Sequence, residues 1–241
     1  MPLIFTFLMT SLGFTQSVVT IDADGGADYR SLDTVLSAIK AGTLDPDTVK
    51  FIGNDQDTYT WSTYCDKSIW WIVFKGTQSD PDKFPIINHT KEPLYNFFNP
   101  NDVHFQNVIL TGTDVYDLGL NSKTYTFKNC VIRDMTGEAA FYIQGTGGNV
   151  LFENCLFEGN TCSNIFKLNY WGGAPTFIIR NCTFENNTGI WNVDEDNNSN
   201  FSIVNCIFSN NGTTFRGNNL RSKTTYSLTS ESTSGYVTGC V

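Results

Sequence analysis

One six-residue phrase returns along the chain at near-constant spacing, and it narrows the fold more than any other feature. Phe127-Lys-Asn-Cys-Val-Ile132, Phe152-Glu-Asn-Cys-Leu-Phe157, Ile179-Arg-Asn-Cys-Thr-Phe184 and Ile203-Val-Asn-Cys-Ile-Phe208 place asparagines at 129, 154, 181 and 205, separated by 25, 27 and 24 residues. An earlier copy, Phe105-Gln-Asn-Val-Ile109, lies 22 residues upstream and lacks the cysteine. A fixed period in this range is the mark of a solenoid, in which each repeat buries its apolar face only against its neighbours. Each repeat holds short β-rich stretches such as Thr176-Phe-Ile-Ile179 and Cys182-Thr-Phe184, with no helical period and little leucine. That favours an all-β parallel β-helix with coils of about 25 residues over a leucine-rich horseshoe.

Within a coil the apolar residue two before the asparagine and the cysteine one after it must both face inward. Strict strand alternation forbids this for residues three apart. A bend at the asparagine resolves it, because Asn tolerates the left-handed conformation. Neighbouring coils stack at about 4.8 Å, so the asparagine side chains are expected to form a hydrogen-bonded file inside the molecule. Cys130, Cys155, Cys182 and Cys206 are expected to form a buried column of reduced packing residues. The chain has seven cysteines, an odd number, and no Cys-x-x-Cys pair for a zinc ribbon.

A second register has the same period. Tyr116-Asp-Leu118, Phe141-Tyr-Ile143, Phe166-Lys-Leu168, Trp191-Asn-Val193 and Phe215-Arg-Gly217 recur every 25, 25, 25 and 24 residues. Their outer members face the core. Asp117, Tyr142, Lys167, Asn192 and Arg216 then form one outward column.

Before Asn107 the pattern loosens. Thr48 to Ile52 and Ile69 to Phe74 read as strands of the first coils, and the Pro-rich stretch from Asp80 to Pro100 as a looped-out excursion. Val18-Val-Thr-Ile21 reads as a strand. Ser31 to Lys40 reads as an amphipathic helix with Leu32, Val35, Leu36 and Ile39 on one face, a lid for the raw end of the coil stack.

The run Val19-Thr-Ile-Asp-Ala-Asp-Gly-Gly-Ala-Asp-Tyr29, followed by Ser31-Leu-Asp-Thr-Val-Leu-Ser-Ala-Ile39, resembles the opening segment of the pectin-lyase-like superfamily. The coil pattern is similar to that superfamily over nearly the whole of residues 18–241. The resemblance implies a secreted, right-handed, single-stranded helix of parallel strands. It implies little about activity, since one fold hosts many functions. The Asn-Thr-Asp, Asp-Asp and Gly-His-Gly set of polygalacturonases is absent. So are the Asp-Phe-Ile-Phe-Gly stretch of pectin methylesterases and the Trp-Ile-Asp-His and Arg-x-Pro-x-x-Arg signatures of pectate lyases. The two histidines, His89 and His104, read as ordinary strand or turn residues.

Composition restricts the partners. A net charge of −9 argues against a nucleic-acid footprint, and no later segment reaches the ~20 apolar residues of a membrane span. Residues 1–17 read as a signal peptide, with an apolar run from Leu3 to Met9 leading to small and polar residues, although no basic residue precedes it. A secreted or surface-held protein is the expectation. At the far end the pattern weakens after Phe208, and Tyr236 to Val241 resembles the start of a further coil, as in a piece of a longer protein.

Function is sought on the outward column. Lys167 and Arg216, two coils and roughly 10 Å apart, are candidates to neutralise a uronate carboxylate. Tyr142, one coil from Lys167, is the candidate to protonate a leaving oxygen, as in a polysaccharide lyase. Gln144, Asn169 and Asp194 would flank the same groove, with Asn192 and Asp117 on the column itself. Tyr170 and Trp171 offer flat aromatic faces for sugar rings. Asp194 and Asp196 are either a polar turn or oxygen ligands for calcium, and Asp22-x-Asp24-Gly-Gly-x-x-Asp28 is read as a turn leading into the lid rather than a calcium loop. Two function classes follow. One is a carbohydrate-active protein engaging polysaccharide along the outward face. The other is a non-catalytic surface protein, because Phe157 to Asn160, Phe184 to Asn187 and Phe208 to Asn211 resemble the Phe-x-x-Asn repeats of chlamydial-type polymorphic membrane adhesins. The companion Gly-Gly-Ala motif of those repeats occurs once, at Gly172 to Ala174, in another coil position.

Overall fold

A computed structural model describes residues 17–53, 56–63, 71–90, 102–113, 116–120, 122–170, 175–193, 200–212, 224–225 and 228–229. Its strands form three parallel sheets of a β-helix, two of them running from the first coils to the last described strands. The first sheet stacks Val18–Ile21, Thr48–Phe51, Trp71–Gly76, Asp102–Gln106, Thr124–Lys128, Asn149–Glu153, Thr176–Arg180, Asn200–Val204 and Thr224–Thr225. The second stacks Thr58–Trp61, Ile86–His89, Ile109–Gly112, Val131–Met135, Leu156–Glu158, Thr183–Glu185, Ile207–Ser209 and Leu228–Thr229. The third, shorter sheet holds Tyr116–Gly119, Ala139–Gly145, Asn164–Tyr170 and Trp191–Val193.

Stacking in register turns the repeat into columns. Phe74, Phe105, Phe127 and Phe152 lie ring on ring at centroid distances of 5.2, 5.1 and 4.5 Å. Phe157, Phe184 and Phe208 form a second column at 4.4 and 4.9 Å. All are buried, and each such ring contributes about 1.5–3 kcal/mol by leaving water. Cys130, Cys155, Cys182 and Cys206 are buried free thiols, as the repeat predicts. Burial pushes the thiols of Cys155 and Cys182 well up, and that of Cys162 up to about 11. Thiols so raised stay protonated at neutral pH and are poor nucleophiles.

The predicted bend is present in every repeat. Asn107, Asn129, Asn154, Asn181 and Asn205 have φ of 54, 51, 54, 55 and 53°, and the residues that flank each bend turn inward. Phe127 and Cys130, for example, are both buried. The asparagines also form a file, with Asn129 Nδ2 donating to Asn107 Oδ1 and Asn154 Nδ2 to Asn129 Oδ1, both at 3.2 Å. Asn205 Nδ2 donates to Asn181 Oδ1 at 2.8 Å. The file does not run inside the molecule, however. Asn129, Asn154, Asn181 and Asn205 are exposed, because a corner whose two neighbours point in must point its own side chain out.

A second, inner file runs along the other end of the second sheet, through Asn160, Asn187 and Asn211. Here the left-handed residues are Gly159, Asn186 and Asn210 (φ 61, 56 and 52°); of the residues that follow them, Asn160 and Asn187 are buried in the core and Asn211 is half-buried. Asn187 Oδ1 accepts from Asn160 N at 3.2 Å and Asn160 Nδ2 at 2.8 Å. Asn187 Nδ2 donates to Phe157 O at 2.9 Å and Asn211 Oδ1 at 2.8 Å. These are the asparagines of the Phe-x-x-Asn units. Their place is structural, since they satisfy backbone groups that the corner would otherwise orphan.

The lid forms as expected, as a helix over Leu32–Ala41 with Leu32, Val35, Leu36 and Ile39 buried. Gly42 ends it in the left-handed conformation at φ 75°. Asp33 clasps it to the first coil, its Oδ1 accepting from Ser62 N and Thr63 N at 2.8 Å and its Oδ2 from the Ser62 hydroxyl. Asp28 ties the preceding turn by accepting from Thr20 N and Oγ1 at 2.9 and 2.8 Å. The Asp80 to Pro100 stretch is not wholly looped out. Pro81–Lys83 makes a 3₁₀ turn, and Ile86–His89 is a second-sheet strand paired with Thr58–Trp61 and Ile109–Gly112. Residues 91–101 lie outside the described residues.

Candidate functional site

The third sheet presents the predicted outward column. Tyr142 is in register with Asp117 and Lys167, Lys167 with Asn192, and Gln144 with Gly119 and Asn169. Inward members Phe141, Ile143, Phe166 and Leu168 are buried, which fixes the facing of the residues between them. Tyr142, Gln144, Lys167 and Asn169 are half-buried, as expected of side chains lying on a strand face.

Three of these side chains meet. Asn169 Nδ2 donates to the Tyr142 hydroxyl at 2.7 Å, and Lys167 Nζ lies 5.2 Å from the centre of the Tyr142 ring, within cation–π range. The same ammonium donates to Glu138 Oε1 at 2.6 Å. The sequence period does not point to Glu138. It precedes the strand Ala139–Gly145 and is not in register with the column, so coil arithmetic alone does not bring it to Lys167. The cluster thus pairs a tethered phenol, whose ring stands beside an ammonium, with an exposed carboxylate. An ion pair this open contributes ~0–1 kcal/mol, so either charge can exchange its partner for a ligand at small cost.

For Asp117, Tyr170 and Asn192 the backbone register alone is described. Arg216, Trp171, Asp194 and Asp196 lie outside the described residues. Elsewhere, carboxylate oxygens of Asp22, Asp24 and Asp57 come within 4.8 Å of one another at the lid end. Asp22 and Asp24 also form the predicted turn, with Asp24 N donating to Asp22 Oδ1 at 3.0 Å.

The remaining outward charges behave as structural columns. Glu153 sits between Lys128 at 3.1 Å and Arg180 at 2.5 Å. Burial raises the Glu153 carboxyl, but its hydrogen bonds and the two cations outweigh this and hold it below the usual range. Arg133 and Glu158 approach at 4.0 Å.

Residues 96–240 match the family model described as the right handed beta helix region. The chain belongs to this family. The match covers more than half of the chain and fixes the hand of the coil as right-handed. No curated protein matches the chain. Among the described residues no helix is long and apolar enough to cross a membrane.

Proposed function

We propose that this β-helix is an exported polysaccharide-binding protein that holds an acidic glycan against the outer face of its third sheet. The observation that carries this reading is the cluster of Tyr142, Lys167 and Asn169 on two adjoining coils. A sugar ring has an apolar face and an equatorial rim of hydroxyls, and a uronate adds a carboxylate. The Tyr142 ring edge, the Asn169 amide and the Lys167 ammonium supply a partner for each. Glu138 holds Lys167 in place until a ligand carboxylate takes over the ion pair. Gln144 extends the same face, and the backbone register sets Asp117 and Asn192 on the flanking strands. The apolar leader at residues 1–17 supports export.

The proposal stops at binding. The Tyr142 hydroxyl is engaged by Asn169 and the Lys167 ammonium by Glu138. The second cation of an elimination scheme, Arg216, is outside the described residues, as is the Asp194 and Asp196 pair considered for calcium.

Affinity electrophoresis through gels containing polygalacturonate or alginate tests the reading. Retardation is expected for the native protein and is expected to be lost in Lys167→Ala and weakened in Tyr142→Ala. Equal retardation of all three proteins would remove the site from this face. Incubation with the same polymers and calcium, followed by ultraviolet absorbance for unsaturated uronate, is expected to show no product. A signal abolished by Tyr142→Phe would extend the activity to lysis.

A further inference from the structure

The second sheet has an outward column of a different kind. Ile86, Ile109, Val131, Leu156, Thr183 and Ile207 are neighbours in register. Phe84, at the end of the 3₁₀ turn, packs over Ile109 and Val131, and all three are buried. Further along the column the apolar surface opens, and Ile207 is 44% exposed. Between the Phe84 cover and the outer asparagine corner lies a groove of about 390 Å³. One wall is Ser79, Pro81 and Phe84, the floor is Val131 and Leu156, and the other wall is the asparagine file of Asn107, Asn129 and Asn154.

We propose that this groove binds a neutral glycan lying along the helix axis, with one sugar per coil. Three features select that ligand. First, none of the described residues lining the groove is acidic or basic, so they offer no charge to neutralise a charged polymer. The third-sheet face, with Lys167 and Glu138, is its opposite in this respect.

Second, the wall is a repeating amide. Asn107 donates one N–H to Gln78 O, Asn129 one to Asn107, and Asn154 one to Asn129, each at 3.2 Å. A primary amide has a second N–H and two carbonyl lone pairs, so each step of the file keeps a donor and a lone pair for a ligand. Both are repeated at the coil spacing of about 4.8 Å, close to the length of one pyranose residue in an extended chain. Hydroxyl groups, which donate and accept, match an amide; a carboxylate, which only accepts, matches half of it.

Third, the floor is apolar beside a polar wall, which suits a ring with a C–H face and a hydroxyl rim. An extended peptide fits less well. It gains its affinity by pairing with a free sheet edge, and this groove lies over a sheet face whose strands are already paired on both sides.

The site is separate from the third-sheet face and does not rest on the reading given for it. The test is affinity electrophoresis of the full chain through gels containing neutral polymers: hydroxyethylcellulose, xyloglucan, galactomannan, glucomannan or dextran. Ser79 is exposed on the groove rim, so Ser79→Arg fills the mouth without touching the core. Asn129→Gly keeps the left-handed corner and deletes one amide. At least one neutral polymer is expected to retard the native protein, with retardation unchanged in high salt because no charge is involved. Ser79→Arg is expected to abolish it, Asn129→Gly to weaken it about tenfold, and Lys167→Ala to leave it intact. Absence of retardation by all five polymers would overturn the proposal. So would full retardation of Ser79→Arg, with circular dichroism confirming that this variant is folded, or loss of retardation in Lys167→Ala.

Discussion

The two asparagine files use the same residue for opposite reasons. In the outer file Asn129, Asn154, Asn181 and Asn205 are chosen for their backbone, which sits at φ 51–55°, while their side chains stay in water. In the inner file Asn160 and Asn187 follow the left-handed residue, and it is their amides that matter, each buried and hydrogen-bonded to coils on both sides. A lost hydrogen bond costs little where water can replace it and much where it cannot. A single residue type at one period therefore carries two energetic roles, and burial separates them.

The largest effect is expected from Asn187→Leu. It leaves the backbone N–H of Asn160 and the carbonyl of Phe157 without their partners inside the core. Urea denaturation is expected to show a loss of about 2–4 kcal/mol. The matching change in the outer file, Asn154→Ala, forces a side chain with Cβ into the left-handed region and should cost about 1–2 kcal/mol. Asn154→Gly should fall within about 0.5 kcal/mol of the native protein, because glycine takes that conformation freely. If Asn154→Gly proved as damaging as Asn187→Leu, the distinction between the files would collapse.

This contrast also marks what the sequence could show. The period predicts the outer file alone; Asn160, Asn187 and Asn211 share the 27- and 24-residue spacing of 154, 181 and 205 but read in the sequence only as the ends of adhesin-like Phe-x-x-Asn units. Periodicity says which residues stack, but not on which side of the chain a corner residue points. The side follows from the neighbours. Phe152 and Cys155 turn in around Asn154, leaving it outside, whereas Asn160 is itself the residue that turns in after Gly159. The strand Ile86–His89 was hidden by Pro81 and Pro85, which read as loop. Pro85 lies just before the strand, where only its carbonyl is needed, and that carbonyl accepts from Ile109 N at 2.9 Å. At the candidate site, register predicted the meeting of Tyr142, Lys167 and Asn169. It did not predict Glu138, which reaches Lys167 from the turn before the strand and so lies off the column.

Between the two extremes stands Asp33, half-buried at the lid. Burial alone would raise its carboxyl, but the hydrogen bonds from Ser62 and Thr63 outweigh it and hold it below the ordinary carboxylate range. A lowered folded value means that its stabilisation is complete above the unfolded value and is lost as pH falls through the folded one. Thermal melts across the acid range should show Asp33→Asn about 1 kcal/mol less stable than the native protein at neutral pH, with the gap narrowing on acidification. The smallest effect is expected from Lys128→Ala, which removes one of two partners of Glu153 at the surface. It should change stability by less than about 1 kcal/mol, and the difference should shrink further in high salt.

Hydrogen exchange of the asparagine side-chain amides, followed by nuclear magnetic resonance, reaches the central claim most directly. The Nδ2 protons of Asn160 and Asn187 are predicted to exchange as slowly as the amides of the core strands, and those of Asn129 and Asn154 at rates close to solvent-exposed amides. Equal exchange rates for the two sets would contradict the stacked-coil arrangement from which both proposed binding faces derive.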